Sequence, residues 1–160
     1  SFAMEKGIYT LIISLPSDLD LVVGSLGRVH FEAGYYAYTG SARGPGGLAR
    51  VERHLRLMKG NCSVQRWHID RLLPHSTLVE VVATKTEEDL ECPIALKIGE
   101  QLSFVARFGC TDCRCPSHLH FSKGREEILL VVKSAHAWAS RSRSGSNEKV
   151  PAEDRRREDQ

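Results

Sequence analysis

The stretch Lys6-Gly7-Ile8-Tyr9-Thr10-Leu11-Ile12-Ile13-Ser14-Leu15, halted by Pro16-Ser17-Asp18, is rich in β-branched and aromatic residues and ends on turn punctuation, which predicts a first strand. Downstream, Leu21 to Gly40 is again strand-rich but is broken by Gly24, Gly27 and Gly34, so a hairpin is expected whose last strand is Tyr35 to Thr39. Ser41-Ala42-Arg43-Gly44-Pro45-Gly46-Gly47 then forms a glycine-rich loop, and a helix is expected from near Leu48. On that helix Leu48, Val51, Leu55 and Met58 share a stripe, while Arg50 and His54, four apart, lie together at its edge.

Asn61 or Ser63 is positioned to cap a short second helix through Trp67 to Leu73, ended by Pro74. Thr77 to Thr84, valine-rich, reads as another strand. A third helix toward Leu102 starts either at Thr86, with Asp89 three residues on, or at Pro93 with Glu91 just ahead of it. Ser103 to Phe108 is a short strand candidate, and Arg125 to Trp138 fits helix or strand equally. From Ala139 the chain turns to Ser, Arg, Glu and Asp, too polar to offset the entropy of ordering. The expected organisation is one α+β domain over residues 4–138, a small central antiparallel sheet flanked by helices, with a disordered C-terminal tail over 139–160 and a cloning scar at 1–3.

With 160 residues, 41% of them hydrophobic, the chain can bury one core but is short for two. No apolar run approaches the roughly 20 residues of a membrane helix, so a soluble, cytoplasmic protein is expected. A net charge of +2 signals no partner by itself, but the charges are unevenly spread. From Gly40 to Arg71 seven basic side chains (Arg43, Arg50, Arg53, Arg56, Lys59, Arg66, Arg71) meet two acidic ones; from Glu80 to Glu100 six acidic residues meet two lysines. One arrangement consistent with this is a basic surface facing an acidic, metal-binding one across a cleft. The five cysteines are odd in number, and Cys110, Cys113 and Cys115 are too crowded for a conventional disulfide framework, which favours reduced thiols or metal ligands.

Two tyrosine phrases, Gly7-Ile8-Tyr9 and Tyr38-Thr39-Gly40, followed by Arg50-Val51-Glu52-Arg53-His54, resemble the catalytic core of the GIY-YIG nuclease superfamily. The phrases Trp67-His68-Ile69-Asp70 and Cys110-Thr111-Asp112-Cys113-Arg114-Cys115-Pro116-Ser117-His118-Leu119-His120 extend the likeness to a branch of unknown function found in archaea and bacteria. The resemblance covers about residues 6 to 95 for the superfamily and reaches about Phe121 for the branch. It implies a GIY-YIG-like fold and a metal-dependent endonuclease acting on DNA, more than RNA. Some members of the branch are fused to DNA-repair domains, which points toward repair.

Phosphodiester hydrolysis needs an activated water, positive charge on the phosphoryl oxygens and help for the leaving oxygen. By the resemblance, Tyr9 and Tyr38 lie on neighbouring strands and handle the water or position the phosphate. Arg50 is the helix arginine that neutralises phosphate charge, and His54, one turn on, is a proton shuttle. Glu91, after the valine-rich strand, is the ligand for Mg²⁺ or Mn²⁺, with Glu80, Glu87 and Glu88 as rivals. Arg43, Arg53, Arg56 and His68 are candidates for nucleic-acid contact; His68 reads equally as a buried histidine bonded to Asp70 or to backbone. Cys110, Cys113, Cys115 and His118 form an alternative Zn²⁺ set, although structural zinc sites usually take two ligand pairs a dozen or more residues apart.

Two departures from the family pattern stand out. The 28 residues between Tyr9 and Tyr38 exceed the usual gap and require an extra hairpin, and Thr39 replaces an aliphatic residue. Two other readings stay open: a nucleic-acid-binding module without cleavage, resting on the basic stretch, and a zinc-stabilised interaction domain organised by the cysteine run.

Overall fold

A computed structural model describes residues 5–60, 65–110 and 113–147, with backbone only for 142–147. The Asn61 and Ser63 caps, the residues of the scar and the tail beyond 147 lie outside the described residues.

The chain forms an α+β fold around one antiparallel sheet. Strand β1 (Gly7–Leu15) pairs on one side with β4 (Gly34–Ala42) and on the other with β5 (Thr77–Lys85). Strands β7 (Leu119–Ser122) and β6 (Ser103–Phe104) complete the order β5-β1-β4-β7-β6. The long gap between the tyrosine phrases holds a separate two-stranded sheet, β2 (Leu19–Val22) and β3 (Arg28–Phe31), so the extra hairpin closes at Phe31, and the strand expected to be its last, Tyr35 to Thr39, pairs instead with β1 and β7. Among the described residues four helices, α1 (Arg50–Met58), α2 (His68–Leu72), α3 (Glu91–Gly99) and α4 (Arg125–Asn147), flank the central sheet.

The two-residue period of a strand divides β1 and β4 between two cores. Tyr9, Leu11, Ile13 and Leu15 join Tyr36 and Tyr38 in a cluster with Leu48, Val51 and Leu57 around α1 and with Ile69 and Leu72 of α2. Ile8, Ile12 and Ala37 belong to a second cluster with Ile94 and Ile98 of α3 and Ile128, Val132, Ala135 and Ala139 of α4. Spacings of three and four along α3 and α4 present those residues as one apolar stripe each, which settles Arg125 to Trp138 as helix. Ser122 starts α4: its hydroxyl donates to Glu127 Oε1 at 2.5 Å and accepts the Gly124 N–H at 3.0 Å. The helix runs past Trp138 to Asn147, so the compositional change at Ala139 falls within α4.

The start of α3 is likewise decided by local bonding. Thr86 Oγ1 accepts the Glu88 N–H at 3.0 Å, a tight turn, and the helix begins at Glu91 with Pro93 inside its first turn, where no N–H is needed. Strand β6 stops at Phe104, short of the expected Phe108, because Arg107 takes a left-handed φ of 63° and Phe108 closes a turn onto Val105.

Thr39, the departure from the family pattern, has a physical role on the second face. Thr10 sits directly opposite Thr39 in the register, and their hydroxyls bond at 2.9 Å. Thr10 Oγ1 also meets His136 Nε2 at 2.8 Å, and His136 Nδ1 meets Thr84 Oγ1 at 2.9 Å. Three strand threonines and one helix histidine thus satisfy one another inside an apolar layer, where unpaired polar atoms would be costly.

Burial lowers the His136 pKa to about 4. The unfolded chain takes up a proton near pH 6.5 that the folded chain refuses until about 4, so stability falls as pH drops through that window and is unaffected above it. The slope is up to about 1.4 kcal/mol per pH unit for this one residue. Urea unfolding at pH 7 and pH 5 is expected to show a stability loss about 2 kcal/mol smaller in His136→Gln than in the parent chain. Equal losses in the two proteins would show that His136 is not held neutral.

Candidate functional site

The first tyrosine pair is assembled by the β1–β4 register. Tyr9 lies opposite Gly40, and its ring covers the space a side chain there would take: a Cβ built on Gly40 would overlap the Tyr9 hydroxyl and ring. Gly7 is constrained in the same way on the other edge, where a Cβ would press on the Thr84 carbonyl. Both motif glycines are therefore explained by close approach rather than by turn geometry. Tyr38 stands two pairs further along, opposite Leu11 and therefore on the same face.

His54 enters this site from α1. Its Nε2 is 2.7 Å from the Tyr9 hydroxyl, and its ring lies 6.1 Å from that of Tyr38 and 6.1 Å from Trp67, centroid to centroid. The expected edge position is corrected here: His54 is 1% exposed, because α1 turns it inward beside Val51 and Leu57. Desolvation lowers its pKa to about 4, so it is neutral at pH 7. One nitrogen of that neutral ring carries a proton and the other is free, and the buried Nδ1 has no partner among the described residues. Tyr9 and Tyr38 are 2% and 8% exposed, and desolvation raises both phenols above their ordinary value, with Arg50 opposing the rise. As they stand, the tyrosines are neutral hydrogen-bonding groups.

Arg50, the first residue of α1, donates from Nη1 to the Ser41 carbonyl at 2.7 Å and lies 5.2 Å from the centre of the Trp67 ring. Arg53 stacks on the same ring at 4.5 Å, and the 37% exposed tryptophan is thereby flanked by two guanidinium groups. Glu91, at the start of α3, is 23% exposed in its side chain and close enough for its charge to contribute to the raised pKa of both tyrosines. Tyr9, Tyr38, Arg50, His54 and Glu91, spread over more than 80 residues of chain, thus share one electrostatic environment.

The expected nucleic-acid contacts fare differently. Arg53 makes two bonds to Asp70, at 3.2 and 3.1 Å, and Asp70 also accepts the backbone N–H groups of Arg66 and Trp67 at 2.7 and 2.9 Å. Asp70 is fully buried. Desolvation is the largest influence on its carboxyl and opposes ionisation, but these bonds outweigh it and its pKa is lowered. Arg53 is therefore committed to tying α1 to α2. His68 likewise serves the fold: its Nδ1 accepts the Gly109 N–H at 2.8 Å, so the partner is backbone and not Asp70. Arg43 is exposed and 3.5 Å from Asp89, an ion pair linking the basic and acidic stretches, while Arg56 is exposed on α1.

A second cluster lies where β7 begins. Cys92, Cys113, Cys115 and His118 bring one ligand atom each to within 4.8 Å of one another and are placed to hold a metal ion such as zinc. The sequence expectation had Cys110 in place of Cys92. The Cys110 thiol lies beside this group, near the Cys113 and Cys115 side chains, and donates to the carbonyls of Phe108 and Cys115 at 3.5 and 3.2 Å, while α3 supplies the Cys92 sulfur. Adjacency to Glu91 was the available signal for Cys92. On the far side of His118, Nδ1 is 3.3 Å from Glu91 Oε2, an ion-pair contact without the alignment of a hydrogen bond. Glu91 thus contacts the cluster through His118 and reaches the tyrosines through its charge.

No helix among the described residues is long and apolar enough to cross a membrane. Residues 8–141 match a family model described as Domain of unknown function DUF123, whereas no curated protein and no solved structure matches the chain.

The packing of Tyr9 over Gly40 can be tested without any assay of function. Gly40→Ala is expected to lower stability by about 1–3 kcal/mol in urea unfolding, because the added methyl must displace a buried phenol. Tyr9→Phe should cost a similar amount by leaving the His54 nitrogen unbonded. In the double variant the costs should fall short of their sum, since the residues touch; full additivity would mean that Tyr9 does not sit over Gly40.

Proposed function

The chain belongs to the DUF123 family, and we propose that it is a metal-dependent endonuclease that hydrolyses phosphodiester bonds in DNA, with the GIY-YIG superfamily resemblance of its tyrosine phrases as the guide to its chemistry. The observation that carries this reading is the convergence of Tyr9, Tyr38 and His54, with Arg50 at the rim and Glu91 near both phenols. A role in DNA repair is part of the proposal.

In this reading Arg50 receives a phosphoryl oxygen. It uses one N–H on Ser41, and the guanidinium carries several more in a planar fork suited to phosphate. The Tyr9–His54 pair moves the proton: as the attacking water gives a proton to the Tyr9 oxygen, the phenolic proton passes to His54 Nε2 over 2.7 Å, and the imidazole holds it. This route suits a phenol whose own ionisation is disfavoured, because no free phenolate forms. Tyr38 stays protonated and donates to the phosphate. Glu91 would hold Mg²⁺ or Mn²⁺; its partly exposed carboxylate, with one oxygen toward His118, fits an ion that keeps most of its waters. Such an ion supplies positive charge to the phosphoryl group when bound. The Arg50–Trp67 rim offers charge and an exposed aromatic face, the two features that nucleic acids use most generally.

One observation favours a second reading, binding without cleavage: Tyr9 and His54 are almost wholly buried. A gel assay on supercoiled and branched DNA with Mn²⁺, Mg²⁺ or chelator separates the two. Metal-dependent nicking is expected, with Arg50→Ala and Glu91→Ala each reducing it by about 100-fold or more. Tyr9→Phe and His54→Gln should each cost about 100-fold, and the double variant little more than either. Salt-sensitive binding with no cut product under any metal would replace the enzyme reading with the binding one.

A further inference from the structure

We propose that Cys92, Cys113, Cys115 and His118 bind a structural Zn²⁺ ion in a tetrahedral site, and that Glu91 is the outer carboxylate that orients His118 within it. This stands whether or not the chain cuts nucleic acid.

The geometry is the first argument. Cys113 and Cys115 sulfurs are 3.5 Å apart, Cys115 and Cys113 lie 3.0 and 3.2 Å from His118 Nε2, and Cys92 lies 2.7 Å from the Cys115 sulfur and 3.8 Å from the imidazole. A zinc ion with sulfur at about 2.3 Å and nitrogen at about 2.0 Å places its ligand atoms roughly 3.5 to 3.8 Å from one another. The side chains are gathered at that spacing or closer, so small outward rotations of the thiols would set the four ligands around one ion. A disulfide between Cys92 and Cys115 would use two of the four and leave Cys113 and His118 unaccounted for.

Donor chemistry is the second. Three soft sulfurs and one imidazole select zinc over magnesium or calcium, and four protein ligands close the coordination, which is the pattern of a structural site. The spacing objection raised by the cysteine run disappears once Cys92 enters, because the ligands then come from α3 and, twenty-one positions later in the chain, from the turn before β7.

The third argument is the outer shell. A metal-bound histidine characteristically offers its second nitrogen to a carboxylate, and His118 presents Nε2 to the sulfurs and Nδ1 to Glu91 Oε2 at 3.3 Å. Glu91 and Cys92 are neighbours in the first turn of α3, so one ion would pin that turn through two consecutive residues. His118 is in turn tied to the tyrosine strand, its carbonyl accepting the Thr39 N–H at 2.9 Å. Zinc would then fix the position of Glu91 relative to Tyr38.

The full chain purified under reducing conditions without chelator is expected to carry one equivalent of zinc by elemental analysis, and Co²⁺ exchanged into it should give the visible absorption of a tetrahedral thiolate site. In zinc competition titrations Cys92→Ser and Cys113→Ser should lose binding, while Cys110→Ser keeps it. Glu91→Ala should weaken zinc about 10- to 100-fold and Glu91→Gln less, since the amide oxygen can still accept from the imidazole. Circular dichroism on each variant distinguishes lost ligand from lost fold, and the cobalt spectrum of the parent chain reads the donor set with no substitution at all. The proposal is overturned by protein that neither contains zinc nor takes up Zn²⁺ or Co²⁺ on titration, by a mass showing Cys92 joined to Cys115, or by Cys110→Ser losing as much affinity as Cys92→Ser.

Discussion

The pairing of β1 with β4 is the constraint on which the remaining structure depends. One register places Tyr9 over Gly40 and Thr10 against Thr39, and neighbouring residues on each strand go to opposite faces. A slip of either strand by a single residue would send its tyrosine into the α3–α4 layer and strand its threonine among the aromatics. The two contacts that resist such a slip differ in kind. On one face a phenol occupies space that only a glycine leaves, and on the other the Thr10 and Thr39 hydroxyls bond each other and join a network with His136 and Thr84. Packing and hydrogen bonding therefore specify the same alignment independently, so that the site face inherits its geometry from both sides of the sheet.

How much of this could be read from residues alone depended on whether the signal was local. Strands β1 and β4, the start of α1, the valine-rich β5 and the second helix are each marked by composition and by a glycine or proline at the boundary, and they lie close to their expected limits. The inserted hairpin follows from chain length between the two tyrosines, because β1 and β4 cannot pair antiparallel until that length is folded away. The strand β7 was hidden: Leu119-His120-Phe121-Ser122 is four residues long and sits beside a cysteine and histidine run whose chemistry dominates any local reading. Arg125 to Trp138 was undecidable in isolation because its apolar residues suit either period, and the sheet face it covers decides for helix.

The site shows the same division. Tyrosine spacing and the helix arginine are patterns in sequence, and the fold brings them into one environment. The depth at which His54 and Asp70 sit is a property of three-dimensional packing. Nothing in Arg50-Val51-Glu52-Arg53-His54 says that Arg53 is consumed by a buried carboxylate seventeen residues on while Arg50 stays at the rim. That choice follows from the capping requirement of α2: Asp70 must accept the free N–H groups at the helix start, and its buried charge then requires a cation, which the facing side of α1 supplies. The cysteine ligand from α3 was invisible for a related reason, since it belongs to the cluster only through the packing of a helix against a turn.

Glu91 links the two centres, through a contact with His118 on one side and through its charge on the other, and its position constrains how each can work. A carboxylate has two oxygens, and one of them lies against His118. An imidazole held at the cysteine cluster would fix that oxygen in place and leave the second as the only one free to face the tyrosine site. In the proposed nuclease reading such rigidity matters, because a carboxylate that held an ion alone would have no partner to keep it at a fixed distance from the tyrosines. The thiol cluster and the tyrosine pair are therefore better understood as two ends of one support: the cluster sets the backbone at the start of α3, and that backbone sets the direction from which negative charge reaches Tyr9 and Tyr38. Because both phenols are already disfavoured from ionising by burial, negative charge from that direction reinforces their neutral form, which is the form able to donate a hydrogen bond to an incoming anion.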